Sequence, residues 1–248
     1  MKRVATLMTI LLLMVLGLSA KKYTLVIDPG HGGHDAGACG AFSKEKNINL
    51  NVALAFGKLV EQNCPDVKVV YTRKTDVFVE LDERANIANR NKADLFVSIH
   101  VNSTAAKNGP QGTETYTLGM HRAADNLEVA KRENSVITLE SNYEQKYEGF
   151  DPKSSESYII FELMQDKNME QSVNFAKLVQ QQFKSTAGRV NKGVYQAGFL
   201  VLRATSMPSA LIELGYINNA NEETYLCSAA GQSALAKSIY NAFKAYKK

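Results

Sequence analysis

The chain has 248 residues, 45% hydrophobic and 22% charged, and its 29 basic and 25 acidic residues leave a formal charge of +4. That composition excludes a disordered chain, a collagen-like fibre and a multi-span membrane protein, and the mild charge speaks against a nucleic-acid reader, which concentrates basic residues on one face. Three cysteines, Cys39, Cys64 and Cys227, exclude a disulfide framework and allow one bridge at most.

Residues 1–20 read as an export signal. Lys2 and Arg3 precede an uncharged apolar run from Val4 to Leu18, and Ser19-Ala20 supplies small residues for cleavage. The run falls short of the ~20 apolar residues that a membrane span needs. Residues 21–248 are then expected as one exported catalytic domain, periplasmic or attached to the cell wall.

The first strand is expected at 23–28, an apolar run stopped by Pro29-Gly30. Ile48, Val52, Ala55, Phe56 and Leu59 follow helical spacing, so 44–63 reads as an amphipathic helix. Strand 67–72, helix 81–91, strand 94–100 and strand 113–118 follow. Val173, Ala176, Val179 and Phe183 place one helix face at 173–183. Two short strands are expected at 199–203 and 210–213, and a helix at 232–246 closes the chain. This alternation predicts an α/β fold: a single, mostly parallel, twisted sheet of about six strands with helices on both faces. Residues 119–157 interrupt it as an insertion. Leu127, Ala130, Asn134 and Ile137 share a helix face in its first half, and 138–157 is polar without a hydrophobic period. Irregular stretches of that length inside a domain are often functional.

No H-E-x-x-H, G-x-S-x-G, C-x-x-C, G-x-G-x-x-G or Walker A motif occurs, so the usual signatures of zincins, serine hydrolases, thiol oxidoreductases and nucleotide binders are missing. Four residues stand out by position instead. His31 follows the first strand, Glu45 opens the first helix, His100 ends the third strand, and Glu213 ends a late strand. Sites in open α/β sheets gather at the carboxyl ends of strands. Two histidines and one carboxylate suffice for a catalytic zinc with one position left open. They also match the facial triad of non-haem iron oxygenases, and a lone His at a strand end is more often an ordinary surface residue.

The joint pattern is more specific. The chain contains V-I-D-P-G-H-G-G-H-D-A-G-A-C-G (26–40), E-K-N-I-N-L (45–50), Y-T-R-K-T-D (71–76), L-D-E-R-A-N-I-A-N (81–89), A-D-L-F-V-S-I-H-V-N (93–102), F-L-V-L-R-A (199–204) and M-P-S-A-L-I-E-L-G-Y-I-N-N (207–219). In that order these segments resemble the zinc-dependent N-acetylmuramoyl-L-alanine amidases of amidase type 3. The resemblance implies one Zn2+ per chain on His31, Glu45 and His100, with Glu213 as the catalytic carboxylate. It implies peptidoglycan as substrate, cut between N-acetylmuramic acid and L-alanine. A non-catalytic wall-binding protein and an endopeptidase of the stem peptide are the rival readings. Members of the family that work in the periplasm carry an insertion that covers the site until an activator docks. Residues 119–157 are expected to do the same here, with Glu133 and Glu140 as the carboxylates that could block the metal. A monomer is expected, with a protein activator as its partner. His34 and His121 are expected off the metal, and Asp35 beside it. Arg73 and Arg84 could hold substrate carboxylates or serve packing, and Cys39 reads as a small buried residue.

Overall fold

In the computed structural model, which describes residues 22–247 except 107, 122 and 164–166, the apolar runs pair into one six-stranded sheet. The export signal expected at 1–20 lies outside the described residues. The strands are β1 (Tyr23–Pro29), β2 (Val67–Tyr71), β3 (Leu95–Asn102), β4 (Thr113–Leu118), β5 (Asn191–Ala197) and β6 (Ser209–Tyr216), in the order β2-β1-β3-β6-β4-β5. Pairing is parallel except between β4 and β6. The crossing segments are helices α1 (Glu45–Asn63), α2 (Leu81–Arg90), α3 (Ala124–Asn134), α4 (Met169–Ala187) and α5 (Ala229–Tyr246), with several shorter turns of helix between them.

Alternation along the strands splits the core into two layers. Leu25, Ile27, Val97, Ile99 and Ile212 face α1, α4 and α5, where Phe56, Phe183 and Phe243 are fully buried. Val26, Phe96 and Leu211 face the other way. That second layer is closed by α2 and by the chain from Leu127 to Phe161. The segment 138–157 therefore does carry core residues: Tyr147 and Phe150 are buried there, beside Tyr158 and Phe161. The rings of Phe150, Tyr158 and Phe161 meet edge-on or tilted, and the absence of a helical period reflects short turns of helix in place of one long one.

Two expectations are corrected. Residues 199–203 form no strand; Leu200–Arg203 is a short helix whose apolar side chains fill the second layer. The sixth strand is β5, which had no apolar run to announce it. As the edge of the sheet it has one strand neighbour, and most of its residues are only half-buried. Among the described residues no helix is long and apolar enough to cross a membrane.

Candidate metal centre

His31, Glu45, His100 and Glu213 meet at the carboxyl ends of β1, β3 and β6. His100 and Glu213 are register partners across the parallel β3–β6 pair. His31 lies just beyond β1, in a left-handed conformation with φ 60°, an uncommon setting for a residue with a Cβ. Two arginines hold that loop. Arg73 donates to the carbonyls of Pro29 and Gly30, and Arg84 donates to those of Pro29 and His31. Both are buried and committed to the fold, which leaves neither for substrate. Arg84 also reaches Asp28 at 2.8 Å, and Thr72 and Ser98 donate to the same carboxylate. Burial alone would raise the pKa of Asp28, but the Arg84 charge and these hydrogen bonds outweigh it and hold the carboxyl below its ordinary value.

Close packing at the loop depends on glycine in two places. A Cβ at Gly30 would stand 2.3 Å from the His100 ring, and one at Gly37, which has φ +65°, would stand 2.6 Å from His31 Cδ2. Gly30→Ala is therefore expected to displace His100 and to weaken metal binding at least tenfold in metal titrations; wild-type metal affinity would refute the clash.

Each ligand-type side chain is oriented by a neighbour. Asp35 Oδ2 lies 2.7 Å from His31 Nδ1, which leaves Nε2 facing the centre. Glu45 Oε2 accepts from Ala38 N at 2.8 Å, and its Oε1 accepts from Val101 N at 2.9 Å. Glu45 Oε1 is 3.2 Å from His31 Nε2 and 3.2 Å from His100 Nδ1. A fourth atom completes the set: Glu133 Oε2 is 3.1 Å from His31 Nε2 and 2.9 Å from His100 Nδ1. Four ligands ~2.0–2.1 Å from one tetrahedral ion would stand ~3.3 Å apart. The observed spacing is close to that, and His31 Nε2 and Glu133 Oε2 are buried without a hydrogen-bond partner. These residues could hold a metal ion. Burial lowers the pKa of the two imidazoles, but the surrounding carboxylates more than reverse this. They push His100 to about 9 and His31 well above its ordinary value. The cluster thus demands positive charge, from protons or from a cation.

Glu213 stands beside the cluster, outside the four-atom set. It is buried, and neither of its oxygens has a hydrogen-bond partner. Burial pushes its pKa well up, and the Glu133 charge adds to the effect. Arg132 Nη2 lies 3.7 Å from its Oε1. Arg132, which had no sequence signal, also donates to Glu133 Oε1 and to the Ser103 carbonyl.

Glu133 belongs to the last turn of α3, inside the expected insertion. Asn134 next to it fixes that turn: its Nδ2 donates to Gly198 O at 2.7 Å, and its Oδ1 accepts from Leu200 N at 2.9 Å. Glu140, the other expected blocking carboxylate, is not at the centre. It accepts from Leu81 N, Lys146 Nζ and Tyr147 OH, and so closes the first turn of α2. Lys146 also bonds Glu80 and Asp82, filling that acidic cluster with its own ammonium. His34 is exposed and stacks on Phe78; neither it nor His121 joins the metal-type set. Cys39 is exposed, contrary to expectation, and all three cysteines are free thiols.

The family model for N-acetylmuramoyl-L-alanine amidases matches residues 25–245. The amidase AmiC of Escherichia coli O6:H1 is 33% identical over 232 residues, which are 90% of this chain and 52% of AmiC. The amidase AmiA of Escherichia coli K12 is 30% identical over 224 residues, 89% of this chain and 75% of AmiA. The chain thus spans about half the length of the first relative and three quarters of the second. Among solved structures, the N-acetylmuramoyl-L-alanine amidase of Clostridium difficile 630 superposes with a TM-score of 0.68 at 27% identity, covering 92% of this chain and 98% of that one. A family match that runs from β1 into α5 takes in every strand and every residue of the metal-type centre, and on that ground the chain belongs to the N-acetylmuramoyl-L-alanine amidase family.

Proposed function

We propose that this chain is a zinc-dependent hydrolase of the amide between N-acetylmuramic acid and the L-alanine of the stem peptide in peptidoglycan. The observation that carries the reading is the four-atom cluster beside an unpartnered Glu213, in a chain of this family. His31, Glu45 and His100 would hold one Zn2+, an ion suited to a nitrogen and carboxylate donor set. When bound, the ion supplies Lewis acidity to water and to the amide carbonyl. The chain's own residues do the rest. Asp35 keeps His31 in one tautomer and orientation. Glu213 accepts a proton from the attacking water and passes it to the amine nitrogen of L-alanine as the C–N bond breaks. Glu213 enters this relay ionised, and burial, which raises its pKa, makes that carboxylate a stronger base toward the attacking water.

Mass spectrometry of fragments released from purified sacculi tests the reading. Free stem peptides beginning with L-alanine are expected, with release lost on chelation and restored by zinc. Fragments that keep L-alanine on the muramic acid would overturn it in favour of an endopeptidase. His31→Ala should lose its zinc in metal analysis, and full occupancy in that variant would move the site.

Glu133 sits where a fourth ligand would, which supports a reading of 119–157 as a regulatory segment in its closed position. A closed state favoured by ~2.8 kcal/mol leaves ~1% of molecules open. Glu133→Ala should then raise basal dye release from labelled sacculi by up to ~100-fold, and an unchanged or lower rate would sink autoinhibition. A protein activator that draws α3 from the centre is the expected partner. An export signal at 1–20 and a place in the periplasm or at the cell wall fit a substrate that lies outside the cytoplasm.

A further inference from the structure

Two adjacent residues at the end of α3 reach the centre with opposite charges. Glu133 Oε2 stands among the metal-type atoms, 3.1 Å from His31 Nε2 and 2.9 Å from His100 Nδ1. Arg132 takes the other side. Its Nη1 donates to the Ser103 carbonyl at 2.6 Å, and its Nη2 lies 3.7 Å from Glu213 Oε1. That Nη2 is buried without a hydrogen-bond partner, and so are both Glu213 oxygens. The two arms also touch: Arg132 Nη2 is 2.9 Å from Glu133 Oε1, the contact distance of a cation with a carboxylate.

We propose that Arg132 and Glu133 together imitate the two products of amide hydrolysis, and that Arg132 blocks the site independently of Glu133; the inference rests on the amidase reading and on the closed position of 119–157 above. In the reaction the C–N bond breaks, the oxygen of water bonds to the acyl carbon, and both protons of water end on the nitrogen. A muramoyl carboxylate is then left beside an L-alanine ammonium. The carboxylate stays at the ligand side chains, and the ammonium stays at the residue that delivered its proton. Glu133 and Arg132 reproduce that arrangement: one carboxylate among His31, Glu45 and His100, one cation facing Glu213, and the two in contact.

The mimicry places the departing amine between the Glu213 carboxylate and the Ser103 carbonyl. Neither group belongs to the segment 119–157. Ser103 directly follows β3, and Glu213 lies on β6 as the register partner of His100. Both offer acceptors only, and an ammonium brings three donors. A support role makes a different prediction. Arg132 Nε also donates to Glu133 Oε1 at 3.0 Å, and a residue that served only to aim Glu133 would have nothing left to do once Glu133 is removed.

Two measurements on the zinc-loaded full chain test this. In dye release from labelled sacculi, Glu133→Ala combined with Arg132→Gln is expected to work about tenfold faster than Glu133→Ala alone, the scale of a contact to a charged group. In calorimetric titration with the product peptide L-alanyl-γ-D-glutamyl-L-lysine, the double variant should bind about tenfold more tightly than Glu133→Ala does. It should also bind the free amine at least about tenfold more tightly than the N-acetylated peptide. Equal release rates, or equal affinity for the two peptides, would overturn the proposal. Fragment analysis separates it from the reading it rests on. Stem peptides that begin with L-alanine, released at equal rates by the two variants, remove the Arg132 block and leave the amidase reading standing. Fragments that keep L-alanine on the muramic acid overturn both.

Discussion

Glu213→Gln should lower turnover on peptidoglycan by ~10²–10⁴-fold, the usual share of a positioned acid–base group, while zinc content stays at the wild-type level. The side chain lies outside the metal-type set, and its oxygens are buried without hydrogen-bond partners. Gln keeps the shape and cannot accept the proton. Fragment release under saturating substrate, paired with metal analysis of the same sample, reads both halves of the expectation. Turnover within threefold of wild type would remove Glu213 from the chemistry, and loss of zinc would make it a ligand.

Arg84→Leu is expected to destabilise the fold by ~3–5 kcal/mol, the cost of leaving a buried charge without its partner. Set against a total stability of ~5–15 kcal/mol for a domain, that is a large fraction. Arg84 is the most deeply buried basic residue among the described residues, and its guanidinium bonds Asp28 and the carbonyls of Val79, Pro29 and His31. Denaturant midpoints measure the effect; a change below 1 kcal/mol would show that the pair does not hold the His31 loop. The same pair makes an expectation about acid. The folded-state pKa of Asp28 lies below its ordinary value of 3.8. Its stabilisation is therefore complete above that value and is lost as pH falls through the lower, folded one. Asp28→Asn should flatten that part of the stability profile below pH 4.

Much of this molecule is legible before any folding is considered. Strands β1, β3 and β6 are near-continuous apolar runs, because they lie inside the sheet with helices over both faces. A His or Glu stands in the carboxyl-terminal half of β3 and β6 and just past β1, so His31, His100 and Glu213 could be picked out near the ends of the apolar runs, and Glu45 from its place at the start of α1. Other features were decided only in three dimensions. Strand β5 is an edge with half-buried residues, so its pattern is too weak to read. The run at 199–203 is apolar throughout because the second core layer surrounds it, and at that length periodicity cannot separate strand from helix. The choice between Glu133 and Glu140 is the clearest case. Residues seven apart share one face of a continuous helix, and on such a helix both carboxylates would reach the centre. But α3 ends at Asn134, where Gly198 and Leu200 take up its side chain. The chain turns there, which carries Glu140 to the start of α2 and leaves Glu133 between the two histidines.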